Sequence, residues 1–151
     1  MCYNEPMKKI HLSTDHAGYE MKEFIKAELI TMGHNVVDHG ASVFKEGDDY
    51  PDFIIPCAMA IAKDDTSVGI ILGGSGQGEA MCANRVHGIY TGVYYGGDVE
   101  IIKTFRMHNN ANVLSLGARF INNKEALFAI KAFLETEFTN EERHTRRLLS
   151  Y

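Results

Sequence analysis

A glycine-rich segment that ends in a carboxylate is the part of the sequence best suited to chemistry. In "GGSGQGE", residues 73–79, four glycines fall within six positions and Glu79 follows the last of them. The segment lacks the GK[ST] ending of a Walker loop, and Glu79 stands where the dinucleotide fingerprint needs its third glycine. Both common types of phosphate loop are therefore excluded.

The backbone N–H groups of such a turn can instead converge on an oxyanion that forms during a reaction, such as an enolate oxygen. Glu79 would then be suited to act as the general base that removes a proton beside a carbonyl. The alternative is that Glu79 only stabilises the positive end of a helix from its first turn. The segment by itself leaves both interpretations open.

Polar side chains elsewhere have types that fit the same chemistry. Asp15 and His16 in "DHAG" follow the first predicted strand, and Tyr50 in "DDYPD" has an extended backbone because a proline follows it. His108 stands where a predicted helix ends. A histidine at such a position is often a helix cap or a surface residue, and the asparagines after it, such as Asn109, are common turn formers. The alternative for "DDYPD" is that it is only a turn.

The charge of the chain is unevenly distributed. A formal net charge of −5 argues against a broad nucleic-acid surface. The tail "ERHTRRLL" is nevertheless basic, with Arg143, His144, Arg146 and Arg147 within five residues. One compact basic cluster on an acidic protein indicates a site for a small anion. The alternative is a solvated helix end whose cations favour the dipole.

Cysteines and histidines show no spacing typical of a metal site. Cys2, Cys57 and Cys82 are far apart, which argues against a disulfide framework and fits a reducing cytoplasm. No two histidines share i, i+4 spacing on one helix, and HExxH is absent. No apolar run has bilayer length, and the opening "MCYNEPMKK" lacks the apolar core of a secretory signal. We therefore expect no metal, no membrane contact and a cytoplasmic protein.

Strand-like and helix-like segments alternate along the chain and must position these residues. The predicted strands are "KKIHLST", "HNVVDHG", "SVGIILGG", "GIYTGVYY" and "NVLSLG". The predicted helices are 21–32, 53–61, 79–85, 98–108 with an Asp98 cap, 127–138, and a last one that begins with a Thr139 or Asn140 cap.

This alternation predicts the fold class. In a chain of 151 residues that is 45% hydrophobic, it indicates one α/β domain spanning residues 1–151. We expect a three-layer α/β/α Rossmann-like sandwich around a five-stranded parallel sheet, with a C-terminal helix. Ligands of such sheets bind beyond the carboxyl ends of the strands, where Asp15, His16 and Glu79 are predicted to lie.

Five motifs occur together in one order: "DHAG", "DYPD", "GGSGQGE", "HNNANVLSLGAR" and "RHTRR". From about His11 to Arg147 the chain resembles the type B ribose-5-phosphate isomerases. This family also includes allose-6-phosphate isomerases and the subunits of galactose-6-phosphate isomerase. Many members have a cysteine base at the position of Gly74, whereas one branch has "GSGxGE" with the glutamate as base. Residues 74–79 fit that branch, and Cys82 is then a packing residue.

The resemblance implies a site for a sugar phosphate, without metal or organic cofactor. Its implied catalytic residues are Glu79 as base, His108 for ring opening, Ser75 and Asp15. Its implied substrate-binding residues are His16, Tyr50, Gly74, Gly76, Gln77, Gly78, Asn109, Arg119, Arg143, His144 and Arg147. The family works as a homodimer or homotetramer with active sites shared between subunits. The resemblance further implies that the "HN" histidine and the terminal arginines come from different chains.

The leading hypothesis is therefore an aldose–ketose isomerase that interconverts ribose 5-phosphate and ribulose 5-phosphate. One alternative is an isomerase of allose 6-phosphate or galactose 6-phosphate, since the sequence does not show the depth of a pocket. Another is a sugar-phosphate-binding module without catalysis, because α/β folds host both classes. A phosphatase-like hydrolase ranks last because the sequence has no obvious nucleophile or metal set.

Overall fold

The five predicted strands are present and form one parallel sheet. The computed structural model describes residues 6–151, so the predictions for Cys2 and for the start of the opening segment lie outside the described residues. The strands are β1 (Lys9–Thr14), β2 (Asn35–Asp38), β3 (Val68–Gly73), β4 (Thr91–Tyr94) and β5 (Val113–Gly117). They are arranged in the order β2-β1-β3-β5-β4, and every neighbouring pair is parallel.

Residues 6–151 contain six α-helices, of which five cover the two faces of the sheet and the last packs against the fourth. They are α1 (Tyr19–Thr31), α2 (Pro51–Ala62), α3 (Gln77–Ala83), α4 (Glu100–Asn109), α5 (Asn123–Glu135) and α6 (Glu142–Leu148). Buried residues such as Ile25 and Phe133 join α1, α4 and α5 to one face, and Ile54 and Ala83 join α2 and α3 to the other. The predicted three-layer α/β/α arrangement is confirmed. Among residues 6–151, no helix has both the length and the apolar character that crossing a membrane requires.

Several helix ends differ from those predicted. Helix α3 begins two residues before Glu79, because left-handed Gly76 already turns the chain into the helix. Helix α5 ends before Phe138, and α6 is capped by Glu141 rather than by Thr139 or Asn140. Asp98 lies one residue before the cap of α4, yet its Oδ1 still accepts the N–H of Glu100 at 3.0 Å.

The sheet has one topological switch point, between β1 and β3. From β1 the chain continues through α1 to β2 on one side, and from β3 it continues through α3 to β4 on the other. The segments that follow β1 and β3 therefore diverge and leave a crevice at the carboxyl edge of the sheet, the usual place for a ligand in this class of fold.

Candidate active site

The turn between β3 and α3 is held in a conformation that requires glycine. Gly76 has φ of +76° and forms the N-cap of α3. A Cβ on this residue would lie 3.0 Å from the Oγ of Ser115, whose hydroxyl donates to the Gly76 carbonyl at 2.7 Å. The turn therefore packs directly against β5, with the amides of Gly76, Gln77 and Gly78 at the start of α3.

Glu79 is buried beneath this turn. Glu79 is only 4% exposed, and a Cβ on Gly73 would lie only 2.0 Å from the carboxyl carbon of Glu79. The carboxylate thus occupies the space that a side chain at position 73 would fill. Burial raises the pKa of Glu79, its own backbone N–H lowers it, and the nearby Asp15 raises it further. A buried carboxyl group with a raised pKa is suited to proton transfer.

Ser75 and Tyr50 border the same turn. The hydroxyl of Ser75 accepts the N–H of Gln77 at 3.3 Å. The phenol oxygen of Tyr50 lies 2.8 Å from the position of a Cβ on Gly78, so that glycine leaves room for the ring. Tyr50 itself forms the N-cap of α2, whose first residue is Pro51, and not an extended linker as predicted: its φ and ψ are −56° and −34°. Its placement at the turn follows from this helix start.

Asp15 and His16 lie across the crevice, where β1 ends. Asp15 is buried and accepts the N–H of Ala17 at 2.9 Å. The ring of His16 pairs through Nδ1 with Oδ1 of Asp48 at 2.7 Å, and the same oxygen accepts the His16 backbone N–H at 2.9 Å. This bond to Asp48 is the main reason why the pKa of His16 is raised. Asp48 was not predicted from the sequence, although it stands two residues before Tyr50.

Arg119 completes this group from the end of β5. Its backbone N–H donates to the carbonyl of Gly74 at 3.0 Å, and Ala118 donates likewise to Gly73 at 2.8 Å. Its guanidinium lies beside Gly74, with Nη1 3.1 Å from the position of a Cβ. The positive charge of Arg119 also lowers the pKa of His16 slightly. We call the group of Asp15, His16, Tyr50, residues 74–79 and Arg119 the Glu79 half-site.

The remaining predicted residues form a second group. His108 lies in the last turn of α4, and its ring stacks on that of His144 in α6 with centroids 4.3 Å apart and planes at 15°. Burial, then the charges of His108 and Arg143, lower the pKa of His144. We call His108, Asn109, Arg143, His144 and Arg147 the His108 half-site.

The two half-sites lie at opposite edges of the sheet. Helix α4 runs from the carboxyl end of β4 back to the amino end of β5, and α5 returns in the same direction, which brings α6 against the end of α4. Strand β5 spans about 13 Å at roughly 3.3 Å per residue. One chain therefore does not bring His108 to Glu79. The expectation that His108 and the terminal arginines come from different chains is wrong, because His108 stacks on His144 within one chain.

One cluster, formed by two residues of the Glu79 half-site together with Asp48, has donors that a metal ion could use. Asp15, His16 and Asp48 are the only such group among residues 6–151, with donor atoms within 4.8 Å of one another. The bond between His16 and Asp48 already accounts for their approach. The absence of a metal requirement stays a prediction.

Known proteins are similar to this chain in sequence and in fold. The profile of the Ribose/Galactose Isomerase family matches residues 10–150. Ribose-5-phosphate isomerase B of Mycolicibacterium paratuberculosis is 40% identical over 140 residues, which cover 93% of this chain and 87% of that protein. The corresponding Mycobacterium tuberculosis protein is 39% identical, with coverage of 93% and 85%.

Solved structures agree with the sequence comparison. Ribose-5-phosphate isomerase B of Mycoplasma genitalium with bound ribulose-5-phosphate has a TM-score of 0.88 and 36% identity, covering 94% of this chain and 92% of that one. The Clostridium thermocellum protein has a TM-score of 0.88 and 34% identity, with coverage of 94% and 93%. The family profile, the sequence identity and the shared fold together show that this chain belongs to the Ribose/Galactose Isomerase family.

Proposed function

We propose that the protein interconverts ribose 5-phosphate and ribulose 5-phosphate. The observation that carries the proposal is the buried carboxylate of Glu79 with its raised pKa, placed beneath a glycine turn at the switch point of the sheet. Similarity to proteins named ribose-5-phosphate isomerase B, one of them solved with ribulose-5-phosphate, supports the choice of substrate. The widely separated cysteines favour the reducing cytoplasm as its compartment.

Glu79 is the general base in this proposal. Its carboxylate takes the proton from C2 of the open aldose, and the electrons of that bond form a cis-enediolate. The protonated carboxyl group then returns the proton to C1, which yields the ketose. A second proton passes from the C2 hydroxyl to the C1 oxygen, so that C1 gains a hydroxyl group and C2 becomes the carbonyl. Neither oxidation of the protein nor a co-reactant is needed, because both protons and the electron pair come from the substrate and are returned to it. The raised pKa lets the carboxyl group hold the proton for the short life of the intermediate.

The glycine turn holds the negative charge that develops on the substrate oxygens. The amides of Gly76, Gln77 and Gly78 belong to the first turn of α3, where backbone N–H groups have no partner within the helix. The Gln77 amide donates to Ser75 over a long 3.3 Å bond, so a substrate oxyanion can replace that contact. Donors fixed in this way stabilise a transition state without further reorganisation.

The phosphate and the ring-opening step require the His108 half-site. A substrate on Glu79 is too far from His108 of the same chain, so we propose that a second copy supplies its His108 half-site in a homodimer or homotetramer. His108 then moves a proton during ring opening. The exposed guanidinium groups of Arg143 and Arg147 hold the phosphate together with Arg119, because arginine forks fit its geometry and double charge.

The first test removes the base. We expect Glu79→Gln to lower kcat about a hundredfold or more while KM stays near its original value, because the amide keeps the shape but accepts no proton. Exchange of deuterium from solvent into C2 of the substrate, followed by NMR, should be lost in parallel. A wild-type kcat in this variant would refute the role of Glu79. Absence of exchange in the wild-type protein would favour a binding module.

The second test asks whether two copies share each site. Glu79→Gln and His108→Ala are separately purified, mixed and allowed to exchange subunits. In a two-fold dimer, each hybrid has one site free of both substitutions, so random mixing restores about a quarter of the sites. Activity that remains at the sum of the two variants would refute shared sites. Parallel assays with allose 6-phosphate and galactose 6-phosphate decide between five and six carbons.

A further inference from the structure

Arg106 is a buried cation in the last two turns of α4, two residues before His108. It is 9% exposed, and burial lowers the pKa of its guanidinium. The groups that its side-chain nitrogens contact are backbone carbonyls and not carboxylates. Burial of a guanidinium whose hydrogen bonds go to neutral carbonyls is costly, although the charge of Glu137 offsets part of that cost. An apolar side chain of similar length would fill the position without that cost. The arginine must therefore supply something specific.

The guanidinium of Arg106 joins two segments that are distant in the sequence. Its Nε donates to the carbonyl of Thr136 at 2.9 Å, and its Nη1 donates to the carbonyl of Ala111. Ala111 closes the turn that carries His108 and Asn109, whereas Thr136 is the C-cap of α5, from which the chain continues to α6. The guanidinium also lies over the ring of Phe133, 4.9 Å from its centroid.

Other contacts meet at the same junction. Both the backbone N–H and the hydroxyl of Thr139 donate to the carbonyl of Met107, at 3.2 and 3.0 Å. The next residue, His108, stacks on His144. Thr139 is exposed, so water competes for its bonds, whereas the fork of Arg106 is shielded from solvent. The buried fork is thus the contact best able to fix the distance between the His108 turn and α6.

We propose that Arg106 is a positioning residue for the His108 half-site. Its fork holds the turn that carries His108 and Asn109 at a fixed distance from the segment that carries Arg143, His144 and Arg147. The catalytic consequence rests on the proposed role of His108. The residues that hold the substrate must keep their relative positions, because a displacement of about 1 Å can lower the rate roughly a hundredfold. A lysine at this position would keep the charge but lose the fork, since one ammonium group cannot hold both carbonyls in the same geometry.

The test is a double-substitution cycle with a spectroscopic readout. Arg106→Lys and Arg106→Met are each made in the wild-type chain and in His108→Ala, and kcat/KM is measured with ribose 5-phosphate. We expect each Arg106 substitution to lower kcat/KM about tenfold or more in the wild-type chain, but less than about twofold when His108 is already absent. In NMR spectra, the ring protons of His108 and His144 should lose the upfield shift that stacking produces.

The control is Ile25→Val, which removes a methylene group from a fully buried side chain in α1. It should lower the thermal midpoint while leaving kcat/KM and the two histidine signals unchanged. If Arg106→Met does not fold, the lysine variant decides the matter.

Two results would overturn the inference: equal losses of kcat/KM in both backgrounds, or histidine ring signals that do not change. A His108→Ala variant with wild-type activity would instead refute the proposed role of His108. In that case the ring signals alone decide whether Arg106 positions the stacked pair.

Discussion

A single methyl group at position 73 should displace the proposed base, Glu79, without replacing any titratable group. In Gly73→Ala, the new Cβ would lie 2.0 Å from the carboxyl carbon and from Oε1 of Glu79, and 2.3 Å from Oε2. Non-bonded carbon atoms approach to about 3.5 Å, so the carboxylate must move by about 1.5 Å. It is the far end of a flexible side chain, so we expect the fold to persist while the carboxylate moves away.

The expected loss follows from this displacement. A misplacement of about 1 Å costs roughly a hundredfold in rate, so kcat of Gly73→Ala should fall at least about a hundredfold. This corresponds to about 2.7 kcal/mol of activation free energy. The assay is the initial rate with ribose 5-phosphate at saturation, together with the fraction of folded protein from circular dichroism.

Gly69→Ala is the matched control, because position 69 lies on the same strand and the same face as position 73. Its Cβ would lie 2.4 Å from Cδ1 of Ile61 and 3.2 Å from Cγ2 of Val113, and not against the carboxylate of Glu79. Overpacking of this kind costs about 1–3 kcal/mol of stability. We expect Gly69→Ala to be less stable and to keep its kcat. A Gly73→Ala variant with wild-type kcat would refute the assignment of the buried carboxylate as base.

Three further predictions concern charge. Arg143→Ala and Arg147→Ala should raise KM and leave kcat nearly unchanged, because the phosphate is present in ground and transition states alike; normal kinetics and no inhibition by inorganic phosphate would contradict this anchor. The acid limb of the kcat/KM profile should lie above the ordinary glutamate pKa, since burial raises that of Glu79; a limb at the ordinary value would count against it. Nδ1 of His11 and Nε2 of His39 lie 2.7 Å apart, and burial lowers the pKa of both rings. Below about pH 6.5 the unfolded chain therefore binds more protons than the folded one, and the free energy of unfolding should fall. A free energy of unfolding, measured with urea, that does not change with pH across this range would contradict this prediction.

Local patterns were sufficient to predict the layers of the fold. The apolar runs of β3 and β5 are buried along their full lengths, and the alternation of strands and helices allowed one parallel arrangement. The position of Glu79 in the first turn of a helix was also predictable, because a glycine-rich turn must precede it. Its burial against Gly73 was not, since this contact depends on how α3 packs over the end of β3.

Residues that depend on long-range contacts were harder to predict. His108 lies at the edge of the sheet opposite to that of Glu79 because of the direction in which α4 and α5 run along the sheet. No local sequence pattern indicates that direction. Asp48 pairs with His16 across 32 residues of sequence. Arg106 looks like one more cation near a helix end until its carbonyl partners, one of them 30 residues away, are known. Such contacts between distant segments determine the site, while periodicity determines only the elements.

The burial of Glu79 also has a thermodynamic consequence for the whole molecule. A carboxyl group whose pKa is higher in the folded chain than in the unfolded chain opposes folding once the pH exceeds the folded value. Above that pH the native state therefore carries an ionised group whose burial lowers its stability. Random substitution followed by selection for thermal stability alone should tend to replace this side chain with a neutral one. The most stable variants would then be inactive.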